Sequence, residues 1–103
     1  MKSPAAAIAM NALGHEQRLA IYTMLYEARP DGLPAQAIAE KLGVPPSSLT
    51  FHTQALMAAG LIEQRREGRS LVYSTNFGTM SALIIFLTRK FAGPPIPSRR
   101  KKP

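Results

Sequence analysis

The spacing of apolar positions divides the chain into short periodic blocks. From Pro4 to Leu13 the residues are mainly alanine with Ile8, Met10 and Leu13, a composition that forms helix readily and lets a second helix approach closely. Gly14 interrupts it. Between His15 and Ala28 the residues Leu19, Ile21, Tyr22, Met24, Leu25 and Tyr26 make an apolar band wider than one stripe, which predicts a second helix buried on more than one side. Pro30, Asp31 and Gly32 supply a turn. Ala35, Ile38, Ala39 and Leu42 then recur at helical spacing as far as Gly43, a residue free to take positive φ after a last helical turn.

Pro45 and Pro46 forbid continuation, and Pro46 suits the first position of a fourth helix running towards Gly60. At about 100° per residue, Leu49 and Leu56 mark its inner side, with Thr53 and Gly60 near them, while Ser47, Thr50, Phe51, Gln54 and Ala58 point the other way. His52 falls at the flank. Beyond Gly60 the period changes to two, with Leu61 to Arg66, a Glu67-Gly68 turn and Arg69 to Ser74 predicting a β-hairpin whose arms end in arginines. From Gly78 to Phe91 the pattern is helical again, and Ala82 to Leu87 is apolar all the way round. Such a helix cannot hide every face within so small a domain, so a partner chain is expected to cover the remainder. The order is α-α-α-α-β-β-α, a mainly α fold with a small β-hairpin.

Composition narrows the partners. With 103 residues, 46% of them hydrophobic and 18% charged, the chain is one globular domain. The net charge of +7 favours a polyanion, nucleic acid ahead of an anionic membrane surface. Four of those charges, Arg99, Arg100, Lys101 and Lys102, follow the Pro-rich stretch from Gly93, so residues 93–103 read as a flexible basic tail behind a folded domain of residues 1–92. Cysteine is absent, which removes disulfides, thiolate nucleophiles, iron–sulfur clusters and Cys-ligated zinc. Lys2 with Ala5 to Met10 mimics the start of a secretory signal, but Asn11, His15, Glu16 and Arg18 interrupt it. No apolar run reaches the ~18 residues of a membrane span, and a cytoplasmic location is expected.

Two short helices joined by Gly43-Val44-Pro45 and followed by a basic hairpin make a helix-turn-helix with a wing, a shape suited to duplex DNA. The hydroxyls of Ser47 and Ser48 and the free first-turn N–H groups can hold a phosphate oxygen or serve as helix caps. Thr50 and Gln54 can bond base edges, Gln matching adenine best; Phe51 can meet a thymine methyl or pack on the hairpin. His52 is placed to pack between helices or to bond a phosphate. Arg65, Arg66 and Arg69, around Gly68, are expected to meet phosphate or the adjacent minor groove.

The stretches Ala12-Leu13-Gly14-His15-Glu16-Gln17-Arg18-Leu19-Ala20-Ile21, Ile38 to His52, Ala59-Gly60-Leu61-Ile62 and Arg66-Glu67-Gly68-Arg69 with Tyr73 together resemble the ArsR/SmtB family of bacterial repressors over about residues 8–91. The resemblance implies a homodimeric winged helix-turn-helix repressor, paired through its first and last helices and released from its operator by an inducer. In such a dimer Leu83, Ile84, Phe86 and Leu87 are expected to pack against the symmetry mate alongside Ile8. The resemblance also implies sensing residues, and these are missing. Where the arsenic-type pattern has Cys-x-Cys, this chain has Pro34 and Gln36. The last helix has no His, Asp or Glu between residues 76 and 91 for the zinc-type site, and Arg89 to Gly93 replace a late Cys pair. No metal site or cofactor is expected.

The leading reading is a sequence-specific duplex-DNA-binding repressor of an imperfect palindrome with half-site centres about 34 Å or a multiple apart. Its signal is not a thiol, leaving an unidentified small-molecule inducer or no ligand at all. A non-specific architectural or nucleoid DNA-binding protein is the alternative, and a winged helix that pairs with protein is a third. No nucleophile, base and orienting acid are spaced for catalysis, so an enzyme is not expected.

Overall fold

The computed structural model describes residues 1–94; the expected tail falls almost entirely outside them. The elements are α1 (Ser3–Leu13), α2 (Glu16–Glu27), β1 (Leu33–Pro34), α3 (Ala35–Leu42), α4 (Pro46–Ala58), β2 (Ile62–Glu67), β3 (Ser70–Thr75) and α5 (Phe77–Phe91). Among the described residues there are thus five helices and a small antiparallel sheet of order β1-β3-β2, which packs against α2, α3 and α4. The fold is the winged helix-turn-helix that the patterning predicts.

Each helix boundary has a local cause. In α1 the alanines at positions 6, 9 and 12 are the buried residues, so its close approach uses the smallest side chains and leaves Ile8 and Met10 outside. The His15 side chain caps α2, its Nδ1 accepting from the Gln17 N–H at 3.2 Å. Gly43 ends α3 at φ 67°, and the N–H groups of Gly43 and Val44 turn back to the Ala39 carbonyl. Pro45 and Pro46 then start α4 with no side-chain cap. The Asn76 side chain opens α5 by accepting from the Gly78 N–H at 3.1 Å.

The core joins Ile21, Tyr22 and Leu25 of α2, Ile38 of α3, Leu49 and Leu56 of α4, Leu61, Ile62 and Tyr73 of the wing, and Leu83 of α5. Three expectations need correction. The buried band of α2 is narrower than expected, because Leu19 and Tyr26 stay exposed while Ile21, Tyr22 and Leu25 are buried where the helix packs against α1, α3, α4 and β3. The hairpin turn is Gly68-Arg69, not Glu67-Gly68, since Glu67 pairs with Ser70 and Gly68 takes φ 60° at the first loop position, where glycine is favoured in tight hairpins. The third correction is β1, which the sequence pattern does not predict. Its two residues are too few to show a period, yet they pair Leu33 with Tyr73 and Pro34 with Val72 and so tie the wing to the start of α3.

Gly32 makes that tie. At φ 82° its backbone lies so close to β3 that an added Cβ would stand 2.0 Å from the Tyr73 carbonyl oxygen, whereas a Cβ on Gly43 would meet nothing within 4 Å. Gly43→Ala therefore carries only the left-handed backbone penalty, about 1 kcal/mol. Gly32→Ala adds a backbone clash and should cost more than about 2 kcal/mol. Denaturant melts of the two variants check this ranking; equal losses would contradict it.

Candidate nucleic-acid interface

Helix α4 is two-sided. Leu49, Thr53 and Leu56 are buried, and Thr53 is fixed by donating to the Thr50 carbonyl at 3.2 Å and sharing a hydrogen bond with the Tyr73 hydroxyl at 3.3 Å. The opposite side presents Ser47, Thr50, Phe51 and Gln54 to solvent, with Ser48 half-buried beside them. Neither serine is the cap, because Pro45 holds that position. The Thr50 hydroxyl donates to the Pro46 carbonyl at 3.0 Å, which leaves its lone pairs to accept. Phe51 is 63% exposed. It lies outside the core, meeting the His52 ring edge-on at 5.5 Å with the Arg18 guanidinium 5.5 Å from its centroid.

His52 departs from the expectation of a phosphate contact. The residue is only 6% exposed, and its two ring nitrogens are taken by α2: Nδ1 accepts from Arg18 Nε at 3.3 Å and Nε2 lies 2.9 Å from Gln17 Oε1. Its ring centroid is 4.7 Å from that of His15. Of the two roles the sequence left open, the structure gives it helix packing. Burial, with His15 and Arg18 adding their charges, pushes the pKa of His52 below the usual histidine value.

The wing arginines divide by partner. Arg65 is paired with Glu67 at 2.7 Å and donates to the Asp31 carbonyl at 2.8 Å, so its guanidinium braces the hairpin against the loop before β1. Arg66 and Arg69 are exposed and form no ion pair among the described residues. With Gly68 at the bend, these two are the cations the wing leaves open to an anion. Sequence reasoning missed Gln17, Arg18 and Asp31, for which only the helical spacing from His15 to Arg18 gave a hint.

Comparison with other proteins agrees with this geometry. The helix-turn-helix domain family matches residues 13–65, just over half the chain. An ArsR-like transcriptional regulator from Rhodococcus sp. RHA1 is 30% identical, with a TM-score of 0.74 over 86% of this chain and 81% of that one. The chain belongs to the ArsR-like transcriptional regulators. This ArsR-like chain is also similar to HlyU from Vibrio cholerae N16961, at 26% identity and a TM-score of 0.69 over 87% of this chain and 95% of that one. It shares its fold with a homodimeric winged helix-turn-helix DNA-binding domain from Mycobacterium bovis, at 23% identity and a TM-score of 0.67 over 91% and 89% of the two chains. No curated protein matches the sequence. Family and fold are those of DNA-binding regulators rather than enzymes.

In this ArsR-like regulator the surface expected to pair needs one change. Leu83 is 3% exposed and sits in the chain's own core, while Phe86 and Leu87 pack half-buried against it. The exposed apolar residues of α1 and α5 include Ile8, Met10, Ile84, Ile85 and Phe91, of which the expected pairing surface named Ile8 and Ile84. Among the described residues no three His, Cys, Asp or Glu side chains come together to hold a metal ion, and no helix is long and apolar enough to cross a membrane.

The buried imidazole gives stability a pH dependence. The unfolded chain binds a proton on His52 at higher pH than the folded chain does, so stability is full above about pH 6.5 and falls as the pH drops below it. His52→Gln should remove that part of the fall. Melting temperatures across the acidic range read this directly, and parallel curves for the two proteins would contradict it.

Proposed function

We propose that the chain is a homodimeric repressor that sets α4 into the major groove of an imperfect palindromic operator. The observation that carries this reading is the exposed polar and aromatic face of α4, Ser47, Thr50, Phe51 and Gln54, followed in the chain by a wing whose exposed Arg66 and Arg69 form no ion pair among the described residues. Gln54 and Thr50 suit base edges, Phe51 suits a thymine methyl, and Ser47 and Ser48 lie where first-turn N–H groups and hydroxyls can hold a phosphate. The exposed Ile8, Ile84 and Ile85 support pairing through α1 and α5, the arrangement that sets two α4 helices on one side of a duplex.

The signal is not a thiol, since the chain has no cysteine. A small organic inducer has room in the groove of about 640 Å³ where α3 and the start of α4 face β3, lined by Ala35, Ala39, Val44, Leu49 and Leu71 with Glu40 beside them. An occupant there would press on the recognition helix and the wing together.

Two measurements test the proposal. Selection of bound duplexes from a random pool should enrich an imperfect palindrome with half-site centres about 34 Å or a multiple apart; equal affinity for every duplex would overturn it in favour of an architectural role. In sedimentation, a variant carrying Ile84→Glu and Ile85→Glu should run as a monomer where the parent runs as a dimer. A monomeric parent would remove the pairing.

A further inference from the structure

His52 is a buried titratable side chain for which base reading has no use, and its hydrogen bonds fix both its charge and its purpose. Gln17 Oε1, 2.9 Å from Nε2, can only accept, so Nε2 carries the proton. Nδ1 therefore offers a lone pair, and that lone pair accepts from Arg18 Nε at 3.3 Å. The ring is neutral in this arrangement. Arg18 spends one N–H on it and keeps the four of its terminal nitrogens, which have no acceptor among the described residues. The guanidinium carbon lies 5.5 Å from the centroid of Phe51, an exposed side chain of the outward α4 face. A cation carried by α2 thus stands at the margin of the surface that faces bases, where the nearest anion of a docked duplex is a backbone phosphate.

We propose that Arg18 is a phosphate clamp of the DNA interface, aimed across Phe51 by the neutral imidazole of His52, and that protonation of His52 unlatches it. The inference rests on the DNA-reading role of α4 proposed above. The charges that face the imidazole are His15 and Arg18, both from the α2 side; α1 has no titratable side chain, and no group of α3 or β2 acts on it. A second proton would go onto Nδ1, pointing an N–H at the N–H of Arg18 and setting a cation beside Arg18 and His15. The interaction that aims the guanidinium is then a donor against a donor. His52 is a positioning residue in this scheme, and Arg18 is the residue that touches DNA.

The test is the salt dependence of binding to a labelled mixed-sequence duplex, read by fluorescence anisotropy with full-length protein. Arg18→Gln should lower the slope of log K against log salt by about 0.9 for each phosphate that the side chain no longer neutralises, and Arg18→Lys should restore part of it. Acidifying the parent from about pH 7.5 to a pH at which His52 has taken up its proton should lower the slope as well, the opposite of what a protein gaining positive charge shows otherwise. His52→Gln, which keeps an acceptor and a donor, should show the same slope at the two pH values. Arg66→Gln serves as the reference. If a folded Arg18→Gln protein keeps the parent slope while Arg66→Gln lowers it, the clamp is wrong and the DNA-binding reading stands. Unchanged slopes in both variants overturn the two together, and a parent slope that steepens in acid overturns the latch.

Discussion

The surface proposed to meet DNA follows from how one helix is pinned. Leu49, Thr53 and Leu56 of α4 are held in the core, and truncating either leucine would forfeit about 2–5 kcal/mol. With those positions fixed inward, helical geometry leaves no choice for Ser47, Thr50, Phe51 and Gln54, which must face out. Rotating α4 far enough to hide Phe51 would bring Leu49 and Leu56 into water. The outward face is therefore rigid because the inward face is well buried.

The supports around α4 are polar and reach it from distant parts of the chain. From one side, the Tyr73 hydroxyl of the wing meets Thr53; from the other, Gln17 and Arg18 meet His52. The wing in turn is braced by Arg65 on the Asp31 carbonyl and by the short pairing of β1 with β3, for which Gly32 allows the close approach. Recognition helix and wing are thereby held by the same frame. A ligand, a proton or a second chain acting on that frame acts on both elements at once.

The helices were legible because their determinants are local. Ala-rich α1, the Gly43 stop, the Pro46 start and the alternation of β2 and β3 can each be read within about ten residues, and the split of α4 into two faces needs only its period. What was not legible depends on neighbours distant in sequence. A two-residue strand has no period to read, and its existence depends on Tyr73 and Val72 about forty residues later. The burial of His52 comes from α2 wrapping over the flank of α4. Arg65 looked equivalent to Arg66 and Arg69, but Asp31 and Glu67 set it apart. Leu83 could not be told from Ile84 and Ile85 in a run apolar on every side, because only the core's position decides which of the three turns inward.

The chain has no cysteine through which a thiol signal could act, and the regulation proposed for it works through α4 and the wing. The claim on which that rests is that the outward face of α4 reads bases. Its most direct test compares the parent and Gln54→Ala on a selected duplex and on a set differing from it by single base pairs. The account predicts that the variant loses about 1–3 kcal/mol of discrimination at one base pair of each half-site and keeps it elsewhere. Unaltered discrimination at every position would contradict it.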